Sequence, residues 1–301
     1  MDITLVRWGR HYTFPHTAMP TTTTPSATPK VKTIGMMQPL VWLVKAWSDI
    51  VKSGWISLLH GVALAAAGLA IVAFARHRFW LLAGALSGFM VIAPVLATSL
   101  YALSRAVERR EKPNLAVVLK TWLNWQQSHF NKWDSDYWCM VQFGVLLAAA
   151  ATGWVLTSAA LITLLAPVPI NSPLDFVQHV VLAPEGWLFE IWLALGGVMA
   201  APLFASSVVS MPLLLDRRIS LKQAVLTSWQ TVLANPLPLA FWASIIMVFT
   251  LLGLGSLFLG LIPVLPMLGH ASWHAYRDLV DASELPARDA FSATDSAFGS
   301  L

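Results

Sequence analysis

Long apolar runs alternate with short, polar, basic segments along most of the chain. The runs are Trp55–Phe74, Phe79–Ser104, Trp138–Leu165, Trp187–Leu215 and Leu237–Tyr276. A bilayer-spanning helix needs about 20 mostly apolar residues, so each of the first four predicts one span. The fifth is too long for a single helix. Its glycine-rich stretch Gly253-Leu254-Gly255 divides it into Leu237–Leu252 and Ser256–Tyr276. The pattern predicts an all-α polytopic membrane protein with six transmembrane helices in three hairpins.

The polar segments ahead of the hairpins carry a second periodicity. Pro39 opens a run with Leu40, Leu43, Val44, Trp47 and Ile50 at the spacing of one helical face. Asn114 caps a second run, with Leu115, Val118, Leu119 and Trp122 aligned. Ser220 caps a third, with Leu221, Val225, Trp229 and Val232 aligned. Lys45, Lys120 and Lys222 stand on or beside the polar sides, the composition of an amphipathic helix lying in the headgroup plane. Basic amphipathic helices also suit partner proteins. A short outer helix is expected over Pro173–Leu182, after Ser172.

The hairpins resemble one another. Ala93-Pro94-Val95-Leu96-Ala97-Thr98-Ser99 matches Ala201-Pro202-Leu203-Phe204-Ala205-Ser206-Ser207 at an offset of 108, which also places Glu108-Arg109-Arg110 on Asp216-Arg217-Arg218. A third, weaker copy contains Pro266, with Arg277 in the place of Arg105. The expected unit is interfacial helix, span, proline-bearing span and basic exit, repeated over about 39–112, 113–218 and 219–280. Residues 1–38, rich in Thr and Pro, and 281–301 read as disordered tails. Each proline removes a helix hydrogen bond and frees a carbonyl that neighbouring hydroxyls can satisfy. Pro94, Pro202 and Pro266, with Thr98, Ser99, Ser206 and Ser207, therefore mark either kinked packing helices or a pathway lining.

Composition agrees with a bilayer protein: 57% of residues are hydrophobic, 11% charged, and mean hydropathy is +0.65. The segments before span one, between two and three, between four and five, and after six hold 6, 6, 3 and 2 of the 19 Lys/Arg residues. The opposite loops hold only Arg76 and Arg78. This asymmetry predicts that both termini are cytoplasmic. The single cysteine, Cys139, excludes a disulfide framework and multi-cysteine metal sites. The basic residues follow topology, so no nucleic-acid partner is expected; membrane lipids and another membrane complex are.

Chemistry-bearing residues within the spans are few: His60, Glu190, His270 and His274. His270 and His274 share a helix face, and spans one and six can be neighbours if the units close a ring. The histidines then suit either a haem or metal site or hydrogen bonds to backbone and hydroxyls. Glu190, one turn inside span four, is a pathway candidate that can also reach water. No HExxH, CxxCH, Walker or nucleophile-elbow motif is present. No cofactor is predicted, and catalysis is not the expected role.

The stretches Leu268–Leu279, Ser210–Arg217 and the opening Leu40–Ile50 resemble an uncharacterised, DUF-type family of proteobacterial six-span membrane proteins. Some of its members are labelled cytochrome c oxidase subunit I. The resemblance implies a six-span fold and association with a respiratory complex. It does not imply oxygen reduction, since three intramembrane histidines cannot assemble a haem–copper centre. The leading expectation is a non-catalytic scaffold or accessory protein. A small-molecule or ion transporter and a haem- or metal-binding redox protein are the alternatives.

Overall fold

The computed structural model describes residues 28–91, 93–130, 138–183 and 186–288, with backbone alone for 124–130. The chain is helical: α1 Gln38–Ser53, α2 Trp55–Ala75, α3 Phe79–Val91, α4 Ala93–Leu96, α5 Thr98–Glu108, α6 Leu115–Phe130 and α7 Trp138–Leu165. There follow α8 Pro173–Phe176, running into a π turn at Val177–Val181, then α9 Leu188–Ser207, α10 Ser210–Asp216, α11 Leu221–Ala234, α12 Pro236–Gly255 and α13 Leu261–Leu279. Two short strands, β1 Lys30–Val31 and β2 Val280–Asp281, pair antiparallel.

Local sequence explains the boundaries. Asn114 accepts the Val117 amide at 3.1 Å and Ser220 the Gln223 amide at 3.3 Å. Ser172 and Asp175 form a reciprocal capping box on α8. Gly54, at φ 59°, occupies the left-handed region open to glycine and separates α1 from α2.

Among the described residues, four helical stretches are long and apolar enough to cross a membrane: Trp55–Ala75, Trp138–Leu165, Leu188–Asp216 and Pro236–Gly255. Two expected spans are not among these four. In the segment expected as Phe79–Ser104, Phe79–Val91 is a shorter apolar helix, residue 92 lies outside the described residues, and a turn at Ala97 separates α4 from α5. The last helix begins at Leu261 rather than Ser256, after turns at 256–260, and α13 carries Ser, His, Arg and Asp. Within these two proline-bearing segments α5 and α13 are largely buried, so their composition answers to protein contacts more than to lipid.

The core is built around α13, against which α1, α2, α5, α10 and α12 all pack. Trp42, Trp242, Trp273 and Tyr276 are almost wholly buried there. Contacts between α2 and α13 run in opposite chain directions, from Ser57 beside His270 through Gly61 beside Ile262 to Gly68 beside Phe258. At the centre of this crossing a Cβ on Gly61 would stand 2.1 Å from the Ile262 carbonyl oxygen. The helices ahead of the hairpins pack in a cycle: α6 on α5, α11 on α9 and α10, and α1 on α13.

Each of these three helices also turns an apolar stripe away from the protein. In α1 the exposed residues are Leu40, Val44, Trp47 and Val51, whereas Trp42, Ala46, Asp49, Ile50 and Ser53 are buried. Leu115, Leu119, Trp122 and Leu123 are exposed on α6, and Leu226, Trp229 and Leu233 on α11. The expected α1 face therefore splits, with Ile50 turned inward. On α11 the exposed stripe is Leu226, Trp229 and Leu233, whereas Leu221, Val225 and Val232 are half-buried.

The folded region extends beyond 39–280. Ile34 N–H donates to Asn235 Oδ1 at 2.8 Å, and Asn235 Nδ2 donates to the Lys32 carbonyl at 2.9 Å. At the other end, Leu285 and Arg288 are buried and the Arg288 amide reaches the Asp216 carbonyl at 2.8 Å. Residues 1–27 and 289–301, also expected as tails, lie outside the described residues.

Gly61→Ala is expected to separate α2 from α13 and cost about 1–3 kcal/mol, the usual overpacking range. Gly153→Ala on α7, where a Cβ meets nothing within 4 Å, should leave detergent-solubilised melting unchanged or slightly raised. Equal melting of both variants with wild type would contradict this packing.

Candidate functional site

A polar seam lies where α1, α2, α5 and α13 meet. Asp49, Ser53 and Ser57 recur at four-residue spacing across the Gly54 junction, with His60 three residues further. Facing them, α13 supplies His270 and His274, and α5 supplies Ser99 and Ser104. His270 is fully buried; its Nε2 lies 2.8 Å from Ser57 Oγ and its Nδ1 2.6 Å from Ser104 Oγ. Ser104 Oγ donates to Asp49 Oδ2 at 2.7 Å, and His274 Nε2 meets the same oxygen at 2.9 Å.

Proton counting fixes the roles. A serine hydroxyl has one proton, and Ser104 gives its proton to Asp49. His270 Nδ1–H must therefore donate to Ser104, which leaves Nε2 to accept from Ser57. His274 Nε2–H donates to the Asp49 carboxylate. The third histidine follows the same logic: His60 Nδ1–H donates to the Ile56 carbonyl at 2.8 Å, and its Nε2 accepts from Ser99 Oγ at 2.7 Å. The lone pairs of His60 and His270 are thus engaged by hydroxyls. Only His274 Nδ1 is unengaged among the described residues, none of which form a group of three or more metal-type ligands.

The seam opens at its α1 side into a cleft of ≈ 420 Å³ whose lining includes Lys45, Asp49, Lys52, Ser104, His274 and Arg277. Lys45 pairs with Asp278 at 3.1 Å, and Arg277 with Glu108 at 2.8 Å. Asp278 also accepts from Gln38 and Trp42, and Glu108 from Trp273. Burial pushes the Asp49 carboxyl upward, but the hydrogen bonds from His274 and Ser104 outweigh it and hold the group below its ordinary value.

The basic exits converge on a second buried carboxylate. Asp216 accepts from Tyr276 Oη at 2.9 Å and from Arg217 Nε at 3.0 Å, with Arg109 and Arg277 each at 3.9 Å. Arg105 donates to the Leu215 carbonyl at 2.9 Å, and the Arg218 amide to the Pro286 carbonyl at 2.9 Å. Arg110 stays exposed at the end of α5.

Of the proline positions, Pro266 is buried, Pro94 half-buried and Pro202 exposed. Their hydroxyl neighbours make hydrogen bonds within and between helices. Thr98 donates to the Val95 carbonyl at 2.6 Å and Ser207 to the Phe204 carbonyl at 3.3 Å, while Ser206 accepts from Trp229 Nε1 at 2.9 Å. Glu190 is exposed in the first turn of α9. α2 and α13 are neighbours, and His60, His270 and His274 lie in one region. Asp49, Ser57 and Ser104 were not singled out from sequence. The available signal was the recurrence of Asp49, Ser53 and Ser57 every four residues.

Because the folded Asp49 carboxyl binds its proton more weakly than an ordinary one, its contribution is present above pH about 4 and lost as pH falls through the folded value. Asp49→Asn should therefore melt below wild type near neutral pH, with the gap closing in acid. A gap that stays constant with pH would contradict the assignment.

Residues 81–216 match the family model DUF2189, described as a predicted integral membrane protein. The match covers under half of the chain. No curated protein and no solved structure matches. With its apolar helices, the chain is an integral membrane protein, similar over that stretch to a DUF-type membrane family.

Proposed function

We propose that the protein is a six-span scaffold or accessory protein of the bacterial inner membrane, non-catalytic, with both termini in the cytoplasm. In this reading three hairpin units close a ring, and their proline-bearing segments meet inside it. The cyclic packing of α1, α6 and α11 on the preceding proline-bearing segments supports that arrangement. The reading extends to association with another membrane complex, of the respiratory type that the sequence resemblance implies.

The observation that carries the role is the trio of outward apolar stripes. Trp47, Trp122 and Trp229 are 59%, 37% and 39% exposed on helices that also bear Lys45, Lys120 and Lys222. An apolar stripe bordered by lysine suits the boundary between acyl chains and anionic headgroups. Three such helices around one bundle provide a broad surface for holding lipid or a neighbouring membrane protein.

The test replaces Trp47, Trp122 and Trp229 by alanine in the full chain and measures co-purifying phospholipid and stoichiometric partners in mild detergent. The triple variant is expected to fold and to lose bound anionic lipid or partner. Unselective lipid in the wild type, together with no stoichiometric partner, would overturn the scaffold reading.

A further inference from the structure

We propose that the cleft between α1, α5 and α13 binds the headgroup of a phospholipid that carries a primary ammonium beside its phosphate, the ethanolamine class. The proposal rests on the interfacial placement of α1 given above, and it concerns one site rather than the three apolar stripes.

The charge on the lining selects the ligand. Lys45, Lys52 and Arg277 share the cleft with Asp49, Glu108 and Asp278, three basic groups with three acidic ones. A simple anion entering it meets as many like charges as opposite ones, and so does a simple cation. A zwitterion finds a partner for both of its ends. Two of the pairs close on themselves, Lys45 with Asp278 at 3.1 Å and Arg277 with Glu108 at 2.8 Å. Lys52 and Asp49 are left over. Lys52 is exposed at the rim and has no ion-pair partner among the described residues. Asp49 is only 3% exposed, and the bonds it accepts from Ser104 and His274 both end on Oδ2. Its Oδ1 accepts no hydrogen bond among the described residues. Buried carboxylate oxygens ordinarily have a donor, and this one belongs to a side chain lining an open cleft.

The two groups are spaced for one headgroup. Lys52 follows Asp49 by three residues, about 4.5 Å of helical rise along one side of α1. In an ethanolamine headgroup a two-carbon link separates ammonium from phosphate, a comparable span. The ammonium donates inward to Asp49 Oδ1, and the phosphate stays at the rim with Lys52 Nζ. The acyl chains have a place as well. Val44, Trp47 and Val51 are exposed on α1, and helical spacing puts Ser48 between that stripe and the side bearing Lys45 and Lys52. A headgroup in the cleft therefore sets its chains beside an apolar surface that a free zwitterion leaves unused.

The experiment is a lipid competition on the full-length protein in mild detergent, read by native mass spectrometry. Phosphatidylethanolamine, phosphatidylcholine and phosphatidylglycerol with identical acyl chains are supplied in equal amounts. Phosphatidylethanolamine should bind first, with phosphatidylcholine retained about tenfold less, because its quaternary ammonium has no N–H for Asp49. Lys52→Gln, at an exposed position, should weaken both roughly tenfold and keep their ratio, since both carry the phosphate. Asp49→Asn should erase the preference between the two. The scaffold reading is judged by total lipid and partners and this one by a ratio at one site, so either can fail alone. Equal retention of phosphatidylethanolamine and phosphatidylcholine, a preference for phosphatidylglycerol, or binding unmoved by Lys52→Gln would overturn the proposal. So would displacement of the lipid by equimolar glycerophosphoethanolamine, which would assign the cleft to a soluble zwitterion.

Discussion

The structure depends on satisfying the polar groups of a helix that is buried on several sides. α13 carries His270, His274, Tyr276, Arg277 and Asp278 within one short stretch. A buried polar group without a partner costs several times what a satisfied one contributes, and lipid offers no substitute partners. Each of these residues is accordingly matched from outside α13. Ser57 of α2 and Ser104 of α5 hold His270; Asp49 of α1 holds His274. Asp216 of α10 holds Tyr276, Glu108 of α5 holds Arg277, and Lys45, Trp42 and Gln38 of α1 hold Asp278. The partners together define where α1, α2, α5 and α10 must lie.

Around this centre the remaining helices solve a simpler problem. Among the four long apolar stretches, α2, α7 and α12 leave most of their surface outside the protein core, as lipid-facing helices require. At the end opposite α1, aromatic rings take over. Phe79, Trp80, Phe176 and Trp192 pack together, and Trp192 Nε1 donates to Ser158 Oγ at 2.6 Å. Polar bonding at one end and aromatic packing at the other give the two ends of the bundle different chemistry.

Much of this was legible in the sequence, for stated reasons. The end of α7 at Leu165 was legible because hydropathy changes sharply there, and the caps at Asn114 and Ser220 follow from side-chain chemistry. Periodicity failed on α1 because both of its sides carry apolar residues, one packed on protein and one exposed, so Ile50 was assigned to the wrong face. A window average also cannot separate a lipid-facing span from a more buried helix such as α13. The pairing of His270 and His274 on one face was visible, but their partners were not. Asp49 sits 225 residues from His274 in the chain, and no local pattern carries that relation.

The central claim is that Asp49 and His274 act as one unit locking α1 to α13. A double-mutant cycle with Asp49→Asn, His274→Gln and their combination, read by reversible unfolding in mixed micelles near neutral pH, tests it directly. A coupling of about 1.5–3 kcal/mol is expected for a buried hydrogen bond to a charged group. Strict additivity of the two substitutions would contradict the account.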